Sequence, residues 1–125
     1  MTHRRTLLFL ALSSPLLTAV AAAAAKGREI PLAEWHDGDV VITNDPWLGT
    51  GHLNDINIAL PIFHQDRLLG FAGIVAHMAD IGGKIWSASA NDVYEEGLQI
   101  PVTKLVERHR DVDLVFQFVR RNVRM

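Results

Sequence analysis

Hydrophobic and polar residues alternate in short runs through the middle of this chain, and those runs set the expected elements. Val40, Val41, Ile42 and Thr43 form a β-branched run that predicts a short buried strand over 40–43. Asn44-Asp45-Pro46 stops it, because proline cannot continue a ladder and Asn and Asp favour turns. A second strand is expected over 56–63, with Pro61 marking an edge or a bulge near its end. His64 to Arg67 reads as a hairpin loop, and 68–78 as the return strand. In that strand Phe71, Gly73, Val75 and His77 share one face and Ala72, Ile74, Ala76 and Met78 the other. Both faces are largely apolar, which predicts an interior strand of a larger sheet. Leu114, Val115, Phe118, Val119 and Val123 recur at helical spacing among Arg120, Arg121 and Arg124, predicting an amphipathic helix near 111–124 with a basic last turn. The fold class expected is α+β, mostly β around 40–78, and part of a larger domain.

The first quarter of the chain breaks this pattern. Two arginines and a histidine within the first five residues precede an apolar stretch over 7–25 that ends in a run of alanines. A basic start, an apolar centre and a small-residue end are the parts of a secretory signal peptide; a foreign beginning is the alternative. Ser13-Ser14-Pro15 interrupts the stretch, so no stable membrane span is expected. The division that follows is a signal-like or aberrant segment over 1–25, a linker over 26–37 and a partial domain over 38–125.

Composition narrows the chemistry. Within 125 residues, 12 Lys and Arg stand against 14 Asp and Glu, and no basic stripe with interleaved aromatics appears, so nucleic acid is not an expected partner. Cysteine is absent, which excludes disulfides, zinc–thiolate sites and cysteine nucleophiles. Any metal must be held by imidazole and carboxylate.

Two His-x-x-Asp units supply such groups, His52/Asp55 and His77/Asp80, each with glycine close by. Residues three apart point to opposite faces of a strand but can converge in a turn, and Gly49 and Gly51 favour a turn before Asp55. An antiparallel hairpin starting after Asp55 brings His77 back to the level of His52 and Asp55. Two imidazoles and one carboxylate suit Mn, Fe or Zn and leave positions open for water or substrate. Asp80 and Glu96 are then candidates for orienting an imidazole or moving a proton. The plainer reading makes Asp55 and Asp80 turn caps and His77 a hydrogen-bonded strand-end residue. His3, His36, His64 and His109 read as solvated, Asp45 as the cap of the turn before Pro46, and Trp47 and Trp86 as loop anchors. No Gly-Lys-Ser/Thr follows the glycines at 49, 51, 82 and 83, so no nucleotide loop is expected.

Three blocks, GDVVITNDPWLGTGHLNDINIALPIF, AHMADIGG and VYEEGLQIPVTKL, closely resemble the B subunit of ATP-dependent hydantoinases, in the hydantoinase B/oxoprolinase family. That family includes the C-terminal half of 5-oxoprolinase and a subunit of acetone carboxylase. The resemblance runs from Gly38 to Arg124 and implies metal ligands at His52, Asp55 and His77. It further implies an ATPase partner of the hydantoinase A type, which phosphorylates a cyclic amide such as a hydantoin or 5-oxoproline. The B-type chain then adds a metal-activated water and opens the ring. ATP belongs to the partner, the cytoplasm is the implied compartment, and secretion or the periplasm is the alternative if the N-terminal segment acts as a signal. Relatives are several times longer, so this chain is expected to be inactive alone. An acetone carboxylase-like fragment and a small secreted metal-binding protein are the rival readings.

Overall fold

The computed structural model describes residues 30–49, 51–84 and 87–124; the signal-like stretch, His3 and Trp86 lie outside them. Strand β1 (Val40–Thr43) follows the β-branched run, and Pro46 lies three residues beyond its end. The hairpin β2 (Asp55–His64) and β3 (Arg67–His77) turns at Gln65 and Asp66, both with positive φ, 48° and 61°. Positive φ at both central residues is the geometry whose twist matches the flanking strands. The ladder register shifts between Ile62 and Phe63, next to Pro61. β1 pairs with β2 only at Asn57, Ile58 and Ala59, so Pro61 sits beyond that pairing and its missing N–H costs no β1 bond.

Further along come a short helix α1 (Val93–Glu96), strands β4 (Thr103–Glu107) and β5 (Arg110–Asp111), and helix α2 (Asp113–Asn122). Asp92 caps α1 by accepting from the N–H groups of Tyr94 and Glu95. All five strands join one antiparallel sheet in the order β3-β2-β1-β4-β5. The architecture is α+β, chiefly one sheet with a helix after it.

Alternation along β1 divides the core between the two faces. Val41 packs with Trp35 and Ala59, joined by Ile30, Phe71 and Val102; Trp35 meets Phe71 edge-on at 4.8 Å between ring centres. The stretch expected to be a linker therefore gives the core its largest ring. Ile42 packs with Ile56 and Ile100, and Val115 and Val119 of α2 cover that cluster. One expectation is not met among the described residues: β3 lies at the edge of their sheet, where an interior strand of a larger sheet is expected. Its two apolar faces are real, but among the described residues nothing pairs its outer side, and Leu69, Ile74 and Met78 are exposed.

Asp39, at the entry to β1, is the main buried charge. It accepts from the N–H of His36 at 2.8 Å and of Arg108 at 2.9 Å, and Lys104 Nζ lies 3.0 Å away. Burial alone would raise this carboxyl, but the two N–H groups and the ammonium outweigh it and hold it below its ordinary value. Burial alone would lower Lys104, yet Asp39 and Glu107 hold it above its ordinary value. A depressed acid contributes stability that is lost as pH falls through its folded value, and a raised lysine contributes stability lost as pH rises through its own. Unfolding midpoints in urea are thus expected to be flat near neutrality, to drop below about pH 3.9 and to drop again above about pH 10.4. Asp80 and Glu95 are depressed as well, Glu95 to about 2 through the Asn91 N–H and then Lys84, so they share the acid limb. Asp39→Asn should make that limb shallower; an acid limb of unchanged steepness would refute the assignment.

His36 is corrected too. Rather than being solvated, it is half-buried, with Nε2 2.6 Å from an Arg108 guanidinium nitrogen. His64 and His109 are exposed as expected.

Candidate functional site

The turn that precedes β2 is built by backbone freedom at Gly51, whose φ is +98°. The chain folds back so that Asp55 N–H donates to His52 O at 3.4 Å, and the two side chains meet although they are three residues apart. Asp55 is the first residue of β2, His77 the last of β3, and they face each other in the ladder. His77 Nδ1 lies 2.9 Å from Asp55 Oδ1, and His52 Nδ1 lies 3.3 Å from Asp55 Oδ2. Each imidazole thus takes one oxygen of the same carboxylate. The two rings stack at 5.2 Å between centres, tilted by 30°.

One ligand atom from each of His52, Asp55 and His77 lies within 4.8 Å of the others. Two nitrogens and one oxygen in that span fit a first-row divalent ion. Exposure is graded: 17% for the Asp55 side chain, 28% for His52 and 64% for His77, so the carboxylate is rooted in the sheet and His77 faces solvent. Without an ion the same group is an imidazole pair oriented by a carboxylate, which can take up a proton.

Asp80 and Glu96 stand apart from this triangle in their contacts. Asp80 Oδ1 accepts from Gly82 N–H at 2.8 Å, Oδ2 accepts from Arg124 N–H at 2.6 Å, and the Arg124 guanidinium is 3.1 Å from Oδ1. The Gly82 and Arg124 N–H groups hold this carboxyl below its ordinary value. Glu96 reaches the site through the backbone: its Oε2 accepts from Leu53 N–H at 2.8 Å, beside His52. Gly82 and Gly97 form a β-bridge, and a side chain on Gly83 would run into the Glu96 carbonyl. The glycines of AHMADIGG are therefore needed for close backbone approach, and they bring α1 up to the site loop.

Two fully buried residues of the site are not marked as such by the sequence, Asn54 and Asn44, the latter read there only as a turn residue that stops β1. Asn44 Nδ2 donates to Leu53 O and Leu98 O, each at 2.8 Å, and its Oδ1 accepts from Ile100 N–H at 2.6 Å. Asn54 Nδ2 donates to Met78 O at 2.8 Å. An asparagine just after a β-branched strand was the signal present for Asn44, although it reads equally as a turn residue. Asp45 does cap its turn, accepting from Trp47 N–H at 2.9 Å. Trp47 is no anchor, being 89% exposed.

Comparison with known proteins places this chain in a family. The sequence pattern of the hydantoinase B/oxoprolinase family matches residues 6–125, starting well before the boundary at Gly38 suggested by the three blocks. The B subunit of a putative D-/L-hydantoinase from Pseudomonas sp. (strain NS671) is 33% identical over 94 residues, 72% of this chain and 16% of that protein. The crystal structure of an ATP-dependent caprolactamase from Pseudomonas jessenii superposes with a TM-score of 0.68 at 28% identity, covering 89% of this chain and 18% of the other. A nucleotide-free acetone carboxylase structure superposes with a TM-score of 0.66 at 28% identity, over 75% of this chain and 13% of the other. The chain thus spans about a sixth of the length of the curated relative (16%). No helix among the described residues is long and apolar enough to cross a membrane. With a match over nearly its whole length, this chain belongs to the hydantoinase B/oxoprolinase family.

Proposed function

We propose that this chain carries the metal-binding part of a B-type subunit that opens cyclic amides, such as a hydantoin or 5-oxoproline, after an ATPase partner of the A type has activated them. The observation that supports this most is the His52–Asp55–His77 triangle within 4.8 Å, on a chain of this family. When bound there, a divalent ion such as Mn, Fe or Zn supplies Lewis-acid chemistry that makes water nucleophilic near neutral pH. Asp55 and the two imidazoles would hold the ion; without it Asp55 aligns both imidazoles through its two oxygens, and His77 is the member of the group most exposed to solvent. Glu96 fixes the loop through Leu53 N–H, and Asp80 holds the Arg124 backbone against the Gly82 turn. Because ATP drives the partner, the reaction belongs where ATP is, in the cytoplasm.

The chain alone, given ATP and a divalent ion, is expected to release no ring-opened product. An unoriented substrate forfeits the proximity contribution, about 7–11 kcal/mol of barrier at its best. A chimaera tests the reading directly: residues 38–124 of this chain replace the matching stretch of the B-type chain of the Pseudomonas hydantoinase. ATP-dependent ring opening should survive in the chimaera and vanish with His52→Ala. Turnover unaffected by His52→Ala, or turnover by the chain alone, would sink the proposal. Likeness to the acetone carboxylase structure favours a second reading, a subunit of an ATP-dependent carboxylating enzyme. Product from acetone and bicarbonate, with none from cyclic amides, would favour it instead.

A further inference from the structure

We infer that Asn54 is a positioning residue: its side-chain amide stands in for a backbone donor and locks His77 opposite Asp55. This rests on the reading of His52, Asp55 and His77 as a metal-binding group, and it concerns what holds them in place. Met78 N–H donates to Asn54 O at 2.7 Å, directly beyond the facing pair Asp55 and His77. A bond in that place makes Asp55–His77 a narrow pair, with Cα atoms about 4.5 Å apart and side chains close together. The following pair, Asn54 and Met78, should exchange two backbone bonds. Only one comes from the backbone; the reciprocal bond to Met78 O is made by Asn54 Nδ2 at 2.8 Å.

This substitution resolves a conflict. A backbone that kept the ladder regular through Asn54 would stay extended, and His52 would then point away from Asp55. Here the chain leaves the ladder at Asn54 and curls, so that His52 reaches the Asp55 carboxylate at 3.3 Å. The side-chain amide lets the ladder end one step later than the backbone does. Both contacts of Asp55 then exist together. The orientation of the amide is fixed, since only its NH₂ end can face a carbonyl, and Asn54 Oδ1 is left buried without a hydrogen-bond partner among the described residues. An unpaired buried acceptor costs about 1–3 kcal/mol, which the fold tolerates at this position to keep the donor.

The test compares the wild-type chain with Asn54→Leu, Asn54→Ala and a His77→Ala control. Leucine keeps the branching of asparagine and removes the unpaired oxygen, alanine removes the donor without added bulk, and far-ultraviolet circular dichroism confirms that each variant retains the fold. Cobalt(II) serves as the spectroscopic ion, and amide hydrogen exchange is followed in the metal-free chain. Loss of the donor should weaken cobalt affinity about 10–100-fold, as outer-shell changes do, and shift the visible bands of the saturated chain. Met78 N–H should exchange at least about 10-fold faster, while amides in the middle of the β2–β3 ladder stay protected. A cobalt affinity within about twofold of wild type in Asn54→Leu, with His77→Ala defective, overturns the inference. So does an Asn54 side-chain amide that exchanges freely in the wild-type chain. If the wild-type chain takes up no cobalt, the metal reading fails by itself. Asn54 is then decided by the nuclear Overhauser contact between the His52 and His77 rings, which must weaken in the variants and overturns the inference if unchanged.

Discussion

Replacing His77 by alanine should cost this chain more than about 100-fold in affinity for a divalent transition ion, beyond the range of outer-shell changes. The wild-type chain should take up roughly one such ion, since one group of three donors fits one coordination site. His77 is 64% exposed, so its removal opens no cavity, and the change in stability should stay within about 0.5 kcal/mol. Metal uptake and folding are therefore separable in this variant. His52→Ala should behave similarly, while Asp55→Asn should do more damage, because both imidazoles lean on that one carboxylate. His64→Ala is the matched control, an exposed histidine at the far end of the same hairpin. Elemental analysis after dialysis, followed by calorimetric titration with zinc and manganese, reads the effect. Equal metal content in wild type and His77→Ala would remove these residues as ligands.

The parts of this fold that were legible in the sequence are those whose pattern is local. A β-branched run stopped by Asn-Asp-Pro gives β1, a polar stretch from His64 to Arg67 between long apolar runs gives the β2–β3 hairpin, and apolar residues at helical spacing give α2. Strand β4 went unread because Thr103, Lys104, Leu105 and Val106 are all half-buried, so its two faces do not separate into polar and apolar. Its neighbour β5 is two residues long and exists through a turn at Arg108 and His109, which adopt positive φ without a glycine to announce it. Edge and interior cannot be told apart from the composition of β3, because partners across the ladder are a tertiary property. Trp35 was hidden among polar neighbours, and its burial against Val41, Ala59 and the Phe71 ring comes from residues distant in the chain.

The candidate site divides in the same way. His52, Asp55 and His77 followed from a turn plus an antiparallel return, which are geometric consequences of spacing. The contacts of Asp80 and Glu96 did not follow, since both carboxylates are taken by backbone N–H groups that no motif displays. Asn44 and Asn54 act by the same route. Their side chains complete backbone pairing where the strands end, so their importance shows only once burial and partners are known.

Asn44 leads to the largest expected loss of stability. Its side chain is buried and satisfies three main-chain groups: Leu53 O in the site loop, and Leu98 O and Ile100 N–H in the segment that closes against β1. Nearby, Thr43 Oγ1 donates to Ile100 O at 2.9 Å, and Asn44 N–H donates to the same oxygen at 3.2 Å. Alanine at 44 would leave those last two bonds in place and strand the other three groups away from water. Each stranded group costs about 1–3 kcal/mol, so a loss of about 3 kcal/mol or more is expected unless water enters. Domains of ordinary size hold only about 5–15 kcal/mol in total, and this sheet is small. Asn44→Ala should therefore populate the unfolded chain in buffer, and it should release the His52 turn through Leu53 even where the sheet survives. Asn44→Asp should fare no better, because it keeps the acceptor for Ile100 but loses both donors and buries a charge. Urea titration followed by far-ultraviolet circular dichroism measures the loss, with Asn91→Ala as an exposed control. A decrease of less than about 1 kcal/mol for Asn44→Ala would mean that the 98–100 segment is held by Thr43 and packing around Ile100, and not by this amide.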